Sequence, residues 1–416
     1  MSKNQKIAVV GAGVSGLVAA INLEKYGYQT TVFEASDRVG GRVKTDYIDG
    51  IPFDHGFQVL LTAYPAAQKY LDYDLLDLNY FKPGSAIFYK NSKDKIGDPL
   101  RDKSLLFSTL FSKVGSLKDK FKILKLRNQI KNKSLDEIFR ADEKTTMQYL
   151  KDFGFSNQVI ENFFAPFFTG IFLEEDLTTS SRKFEFVYQM FSKGSAVIPT
   201  KGIQAISNQL YAQLKQTKFH FNTTVKKVNN GEIELESGRK EKFDYIIIST
   251  DASKFVSNLK ENQAWKSVEN FYFEVENKVI DDSLIGLMSN RLSTYVNNFY
   301  YLKEKSNRNY LLSVSVIKNH QLNKDELVKV ITNELNKIAN INVIELKKYY
   351  LINKALPIVD SVSYMLPKSE TQLKENIFLA GDHLANGSLN AAMLNGESAA
   401  LAVVEKIEKG SLDIGT

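Results

Sequence analysis

No cysteine occurs among the 416 residues, and this removes disulfides, thiolate metal sites and cysteine nucleophiles from consideration. Histidine is nearly as scarce. The four residues His55, His220, His320 and His383 include no pair at metal-ligand spacing. Tryptophan occurs once, at Trp265. No uncharged apolar run reaches the roughly eighteen residues a membrane-spanning helix needs. The apolar stretch at the amino terminus is too short for a secretory signal. A metal-free cytoplasmic protein is expected. What remains is ordinary for a globular chain, with 43% apolar and 25% charged residues. The length predicts two or three domains and a core large enough to hide a ligand.

The formal charge of +6 is unevenly spread. Residues 101–133 carry ten Lys or Arg against two Asp, so the remaining chain is slightly acidic. Within that segment Leu117, Phe121 and Leu124 fall at i, i+4 and i+7, widened by Ile123, Leu126 and Ile130. A basic amphipathic helix of this kind either packs one face on its own domain or lies on an anionic membrane surface. The first is the default expectation, and a peripheral membrane contact through 101–133 is the alternative. Nucleic acid is not expected as a partner.

The most specific signal lies near the amino terminus. Lys6–Val10 reads as a buried strand, followed by Gly11, Gly13 and Gly16 in the spacing G-x-G-x-x-G. An apolar helical face then runs to about Tyr26, and a second strand, Thr30–Phe33, ends on Glu34. Gly11 allows the turn out of the strand, Gly13 lets a pyrophosphate approach the backbone, and Gly16 lets the helix pack on the sheet. The helix start offers free N–H groups and a positive dipole end to the phosphates. Glu34, beside Ala35, is placed to accept from a ribose diol, and an acid there disfavours a ribose phosphate. The combination predicts a dinucleotide site in a doubly wound α/β domain.

Asp37-Arg38-Val39-Gly40-Gly41-Arg42 follows at once. This E-x-x-x-x-x-G-G-R pattern resembles the flavin-containing amine oxidase, phytoene desaturase and protoporphyrinogen oxidase superfamily. The resemblance implies non-covalent FAD, with Gly40, Gly41 and Arg42 around its pyrophosphate. A flavin tethered through cysteine, as in some members, is excluded by composition. The resemblance also implies a Rossmann-like FAD-binding domain interrupted by an α+β substrate domain. Expected bounds are 1–75, 200–260 and 345–416 for the first, and 76–199 and 261–344 for the second. Asp54-His55-Gly56-Phe57-Gln58 matches the element that carries backbone past the flavin, so Gly56, Phe57 and Gln58 are cofactor candidates. Val225 matches a position whose backbone faces the adenine. At Ile198-Pro199-Thr200-Lys201-Gly202 the usual pair of glycines is replaced by Lys201-Gly202, which predicts a less tight loop.

At the far end, Ile377–Asp382 reads as a final strand ending in Gly381-Asp382, and Gly387-Ser388 opens the last helix. A carboxylate at Asp382 can accept from the ribityl chain. Amides at Ser388, Leu389, Asn390 and Ala391 can stabilise the negative charge that a flavin gains on reduction. Two weak catalytic candidates are His55, which reads first as a hydrogen-bonded structural histidine, and Lys354. The latter is marked because some amine oxidases place a lysine near the reactive flavin nitrogen.

The segment from Phe153 to Phe191 is the most aromatic of the chain, and Pro166 within it must kink a helix or start one. Most of these rings are expected in the core. The pattern F-x-P-F-x-x-G-I-F resembles the desaturase and porphyrinogen oxidase branch, where some rings line a channel; Phe167 and Phe172 are the substrate candidates. The expected function is FAD-dependent removal of a hydride from a carbon of a hydrophobic substrate. A flavin amine oxidase is the alternative, and a non-redox prenyl-binding protein of the dissociation-inhibitor type is the alternative of another class.

Overall fold

The structure is a computed structural model that describes residues 3–89, 92–256, 259, 263–306 and 309–412. Its first layer is a six-stranded sheet in the order Lys218–His220, Tyr28–Phe33, Lys3–Val10, Tyr245–Ile248, Ile377–Leu379, Gln372–Lys374. The first five strands are mutually parallel and the last is antiparallel. Alternation along the central strand explains why both sheet faces are covered. Ile7 and Val9 join the core shared with the helices, while Ala8 and Val10 join Val225, Val228, Ile233 and Leu235. The latter four come from the small sheet Val225–Asn229, Glu232–Leu235, Lys240–Lys242. A strand buried on both faces reads as a continuous apolar run, which is why IAVV was legible as a strand, and YIII at Tyr245–Ile248 has the same character.

The helix Val14–Lys25 packs against the last helix, Leu389–Lys409, so the two ends of the chain meet at the glycine turn. The helix Gln204–Gln213 follows the loop at Gly202. The first strand begins at Lys3 and the second at Tyr28, a few residues before expectation, while the hairpin occupies Thr45–Ile48 and Ile51–Asp54 and the edge strand is Lys218–His220.

A second sheet of seven strands runs in the order Val343–Pro357, Trp265–Val275, Asn309–Val316, Val296–Ser306, Ile285–Met288, Gly84–Tyr89, Ser92–Gly97. Phe271 and Phe273 face the helix Lys324–Ala339 through its Leu327, Ile331 and Leu335. Tyr272, between them, points the other way and meets Phe53 of the hairpin edge-on at 5.0 Å. Its hydroxyl donates to the Asp54 carbonyl at 2.9 Å, which ties the second sheet to the hairpin. The return expected at residue 345 falls inside Val343–Pro357, which pairs along its length with Trp265–Val275. The period-two pattern there belongs to the second sheet, and the chain leaves that sheet only after Pro357.

Helices fill the region between the first and second halves of the second sheet. Leu117–Asn132 starts with a reciprocal capping box between Ser116 and Asp119. Its Leu126 and Ile130 are buried, and it packs on the helix Ser181–Lys193. The stripe expected to face the core is therefore split in two. Leu117 and Phe121 are 60% and 73% exposed and belong to a different face. Pro166 stands in the first turn of the helix Ala165–Phe172, directly after a wide turn at Ile160–Phe164.

Candidate active site

The glycine turn is shaped by close backbone approach. A Cβ on Gly16 would stand 2.0 Å from the Gly11 carbonyl oxygen, and one on Gly13 would meet nothing within 4 Å. The crowded position holds the helix on the sheet, and the open one leaves the loop accessible. The helix that follows has Gly13 as its N-cap, with no side-chain cap and no acid in its first turn. Its first amides are thus free for an anion. Gly40 donates from its backbone to the Ala12 carbonyl at 2.9 Å, which lays the Gly40-Gly41-Arg42 segment beside the first turn.

Glu34 stands at the end of the second strand with its carboxylate turned into this turn. It accepts from the Ala12 amide at 2.7 Å, and from the amide and hydroxyl of Ser36 at 2.9 and 2.7 Å. Ala35 is exposed beside it. Three fixed donors hold the acid where a ribose would pass. Val225 begins the small sheet on the other face, opposite Leu235.

Arg42 crosses to the end of the final strand. Its guanidinium takes both oxygens of Asp382 in a two-pronged pair, one arm at 3.0 Å, joining residues 340 apart. Burial works to raise the Asp382 carboxyl, but the charge and hydrogen bonds of Arg42 outweigh it and hold the group below the usual carboxylate range. The Arg42 guanidinium also lies 4.9 Å over the Trp265 ring. The Trp265 indole N–H is buried with no hydrogen-bond partner. An orphaned donor in this wall is a group a ligand's acceptor can satisfy.

Gln58 donates to the Arg42 carbonyl at 2.8 Å and to that of His55 at 3.0 Å, which fixes the strand of backbone from Gly56 to Gln58 beside Arg42. Phe57 stacks on Tyr300 at 4.5 Å and meets Phe81 edge-on at 5.9 Å. On the last helix Ser388 is the N-cap; its hydroxyl accepts from the Ala391 amide at 3.1 Å and donates to Asn386 at 2.6 Å. Leu389 is half-buried and Asn390 fully buried, with its oxygen accepting from the Ala66 amide at 3.0 Å. Gly381 immediately precedes Asp382 in the buried turn.

The two catalytic candidates sit in different settings. His55 lies 3.0 Å from Asp46 and packs on the Tyr350 ring at 4.2 Å. Asp46 also receives Arg38 at 2.6 Å and the Tyr350 hydroxyl at 2.9 Å, with the Lys348 ammonium 4.0 Å away, so the histidine is one member of a network centred on Asp46. Burial lowers the His55 pKa, against the pull of Asp46. Lys354 is exposed, 5.8 Å from the centroid of the Trp265 ring, and the neighbouring Lys254 ammonium lowers its pKa. Asp54 has a structural task that the motif hid: its carboxylate accepts from the Ile203 amide at 2.9 Å and the Thr45 hydroxyl at 2.6 Å, pinning the start of the helix Gln204–Gln213. Gly202, at φ +77°, is packed against Thr45 and Asp54, so the loop after Pro199 is tight despite Lys201.

The aromatic segment divides. Phe167 lines a cleft of about 270 Å³ together with Phe163, Tyr188 and Phe191. Phe172 does not line it; the ring is fully buried against Phe168 and carries the Lys183 side chain over its face. Sequence reasoning missed Lys183 and the Lys266–Glu174 pair. A signal was available for the first: Lys183, Val187 and Met190 fall at i, i+4 and i+7 on one buried helix face.

A doubly wound sheet with this turn and a placed acid defines a dinucleotide-binding fold. The family model described as flavin containing amine oxidoreductase matches residues 14–404, and the chain belongs to that family, with FAD as its cofactor. The open face at Gly13, the held Glu34 carboxylate and the unpartnered indole N–H fit that group. Among curated proteins, the chain is 44% identical to protoporphyrinogen oxidase 2 of Arabidopsis thaliana over 68 residues, 16% of this chain and 13% of that protein. It is 40% identical to the 4,4'-diapophytoene desaturase of Staphylococcus haemolyticus over 94 residues, 22% of this chain and 19% of that one. The match thus spans less than a fifth of either relative's length. A solved structure of a putative protoporphyrinogen oxidase from Exiguobacterium sp. 255-15 superposes over 98% of this chain and 100% of its own, with a TM-score of 0.70 at 16% identity, a likeness of fold.

Proposed function

We propose that this protein removes a hydride equivalent from a carbon of a hydrophobic substrate. Bound FAD supplies the hydride acceptor. The chain's own part is to hold the cofactor through Glu34, Arg42, Asp382 and the two helix starts, to orient the substrate and to exclude water.

The observation that carries the substrate class is the cleft. Its walls are the rings of Phe163, Phe167, Tyr188 and Phe191. Phe81, also in the lining, reaches the cofactor side through Phe57. The one carboxylate among the lining residues, Asp98, is held by Arg127 at 2.6 Å. A cationic amine therefore finds no free acid there, which favours a hydrophobic molecule such as a polyene or tetrapyrrole precursor over an amine. The likeness to a protoporphyrinogen oxidase and a diapophytoene desaturase supports the same class.

The mouth of the cleft bears on the second expectation, peripheral contact with a membrane. Leu106, Leu110, Leu117 and Phe121 line the cleft and are exposed, flanked by Phe107 and Phe111 at 71% and 76% exposure. Lys118 and Lys125 lie on the same basic helix. An apolar patch rimmed by lysines matches an anionic lipid surface from which an apolar substrate could enter. No helix among the described residues is long and apolar enough to cross a membrane, so the contact proposed is at the surface.

The test is anaerobic reduction of the flavin in the purified protein by a polyene, a porphyrinogen and a diamine in parallel. Bleaching of the oxidised flavin by either hydrophobic compound supports the reading, and bleaching by the diamine alone overturns it. A folded protein that neither carries nor takes up FAD would favour a non-redox binding role instead.

A further inference from the structure

Trp265 is the only tryptophan of the chain, and its indole N–H is buried without an acceptor among the described residues. A buried donor left unpaired costs free energy, and nearly all such groups in folded proteins have a partner. The residue opens the strand Trp265–Val275 and pairs there with Pro357 of the neighbouring strand. Its surroundings belong to the cofactor site. The Arg42 guanidinium lies over the ring and holds both oxygens of Asp382, while the Arg42 carbonyl accepts from Gln58. Pro357 lies against the loop that opens the last helix, where a Cβ on Gly387 would stand 3.1 Å from its Cγ.

The charges around the ring have the sign that an anion needs. Arg42 is 4.9 Å and the Lys354 ammonium 5.8 Å from the ring centroid. Arg42 also donates to the carbonyl of Ala355, the residue after Lys354, at 3.5 Å. Lys354 makes no ion pair among the described residues. Its ammonium meets that of Lys254, which lowers its pKa, with Asp251 pulling the other way. Asp251 is itself occupied by the amide and hydroxyl of Ser253, at 3.2 and 2.6 Å. The other acid of this corner, Asp382, is taken up by Arg42. Donors and positive charge are therefore in excess, and the chain supplies no free oxygen to answer them.

We propose that the Trp265 indole N–H donates to a phosphate oxygen of bound FAD. Such an oxygen supplies both the acceptor that the indole lacks and the negative charge that the surrounding cations lack. A ribityl hydroxyl would meet the first need alone. Trp265 then joins Glu34, Arg42 and Asp382 among the residues that hold the cofactor, and it does so from the second sheet. Glu34 follows a strand of the first sheet, so FAD held at both residues bridges the two sheets. The inference rests on bound FAD and not on the class of substrate.

The sole tryptophan makes the test direct. Replacing it with benzothienylalanine keeps the shape of the ring and puts sulfur in place of the N–H; Trp265→Phe is the second variant. The FAD-loaded proteins are diluted, and release of the cofactor is read from the return of flavin fluorescence. Both variants should hold FAD about tenfold or more weakly than the parent. Phosphorus NMR of the loaded proteins should show one of the two phosphate resonances displaced in the benzothienylalanine protein. Far-ultraviolet dichroism establishes that the variants are folded. Equal FAD retention by the benzothienylalanine protein and the parent overturns the inference. Weaker retention with both phosphate resonances in place also overturns it, because the acceptor is then not a phosphate. A parent protein that neither carries nor takes up FAD refutes the proposed function, whereas a loaded protein indifferent to Trp265 refutes only this contact.

Discussion

Replacing Gly16 with alanine puts a single methyl group into the tightest point of the glycine turn. The new Cβ would lie 2.0 Å from the Gly11 carbonyl oxygen and 2.6 Å from the Ser249 hydroxyl, against an ordinary contact of 3.4 Å or more. The helix Val14–Lys25 must therefore retreat by more than an ångström. Neither side can give cheaply. Ser249 is itself tied to the Val10 and Gly11 carbonyls at 2.8 and 2.9 Å. On the far side the last helix touches this one so closely that a Cβ on Gly396 would stand 2.2 Å from the Ser15 carbonyl oxygen. Overpacking against movable side chains costs about 1–3 kcal/mol, and backbone on both sides places this case at the upper end, about 3 kcal/mol. Gly13→Ala is the matched control. Its φ of −70° suits any residue and its Cβ meets nothing, so stability should stay within about 0.5 kcal/mol. That Cβ would project into the space through which the pyrophosphate approaches, so FAD affinity should fall. Urea unfolding of the flavin-free proteins measures the first quantity and flavin titration the second. Gly16→Ala unfolding at the parent's midpoint, or Gly13→Ala binding FAD as the parent does, would refute this account of the turn.

Three other changes probe the rest of the molecule. Glu34→Arg should abolish FAD retention with the fold largely kept, and unchanged flavin content in the purified variant would remove the ribose role from Glu34. Asp382 has its carboxyl held low by Arg42, against the effect of burial, so its contribution to stability is present above the unfolded carboxylate value near 4 and is lost as pH falls through its folded value. The stability gap between the parent and Asp382→Asn should therefore close as pH drops from about 5 towards 3, and a gap independent of pH would show that the pair carries no charge-dependent stability. Phe107→Glu with Phe121→Glu should reduce co-sedimentation with phosphatidylglycerol vesicles, since both rings are more than two-thirds exposed beside the cleft. Equal sedimentation of parent and variant would leave the patch without a lipid role.

Local covalent and steric demands made part of this molecule legible without coordinates. A glycine is forced wherever backbone approaches backbone, so Gly11 to Gly16 and Gly40 to Gly41 announced a dinucleotide turn and placed Glu34 and Arg42 relative to it. A strand buried on both faces must be apolar throughout, and the runs at Ile7–Val10 and Tyr245–Ile248 show it. The helix Lys324–Ala339 is amphipathic because one face meets the second sheet and the other meets water. Tertiary structure alone decided what depends on contacts between distant segments. It paired Arg42 with Asp382 and set the Asp54 carboxylate on the Ile203 amide at the start of the helix Gln204–Gln213. It moved the domain return from 345 to beyond Pro357, since a strand's pattern does not say which sheet it joins. It also split the apolar stripe of Leu117–Asn132 into a buried face at Leu126 and Ile130 and an exposed one at Leu117 and Phe121, because periodicity records which residues share a face and not what that face meets.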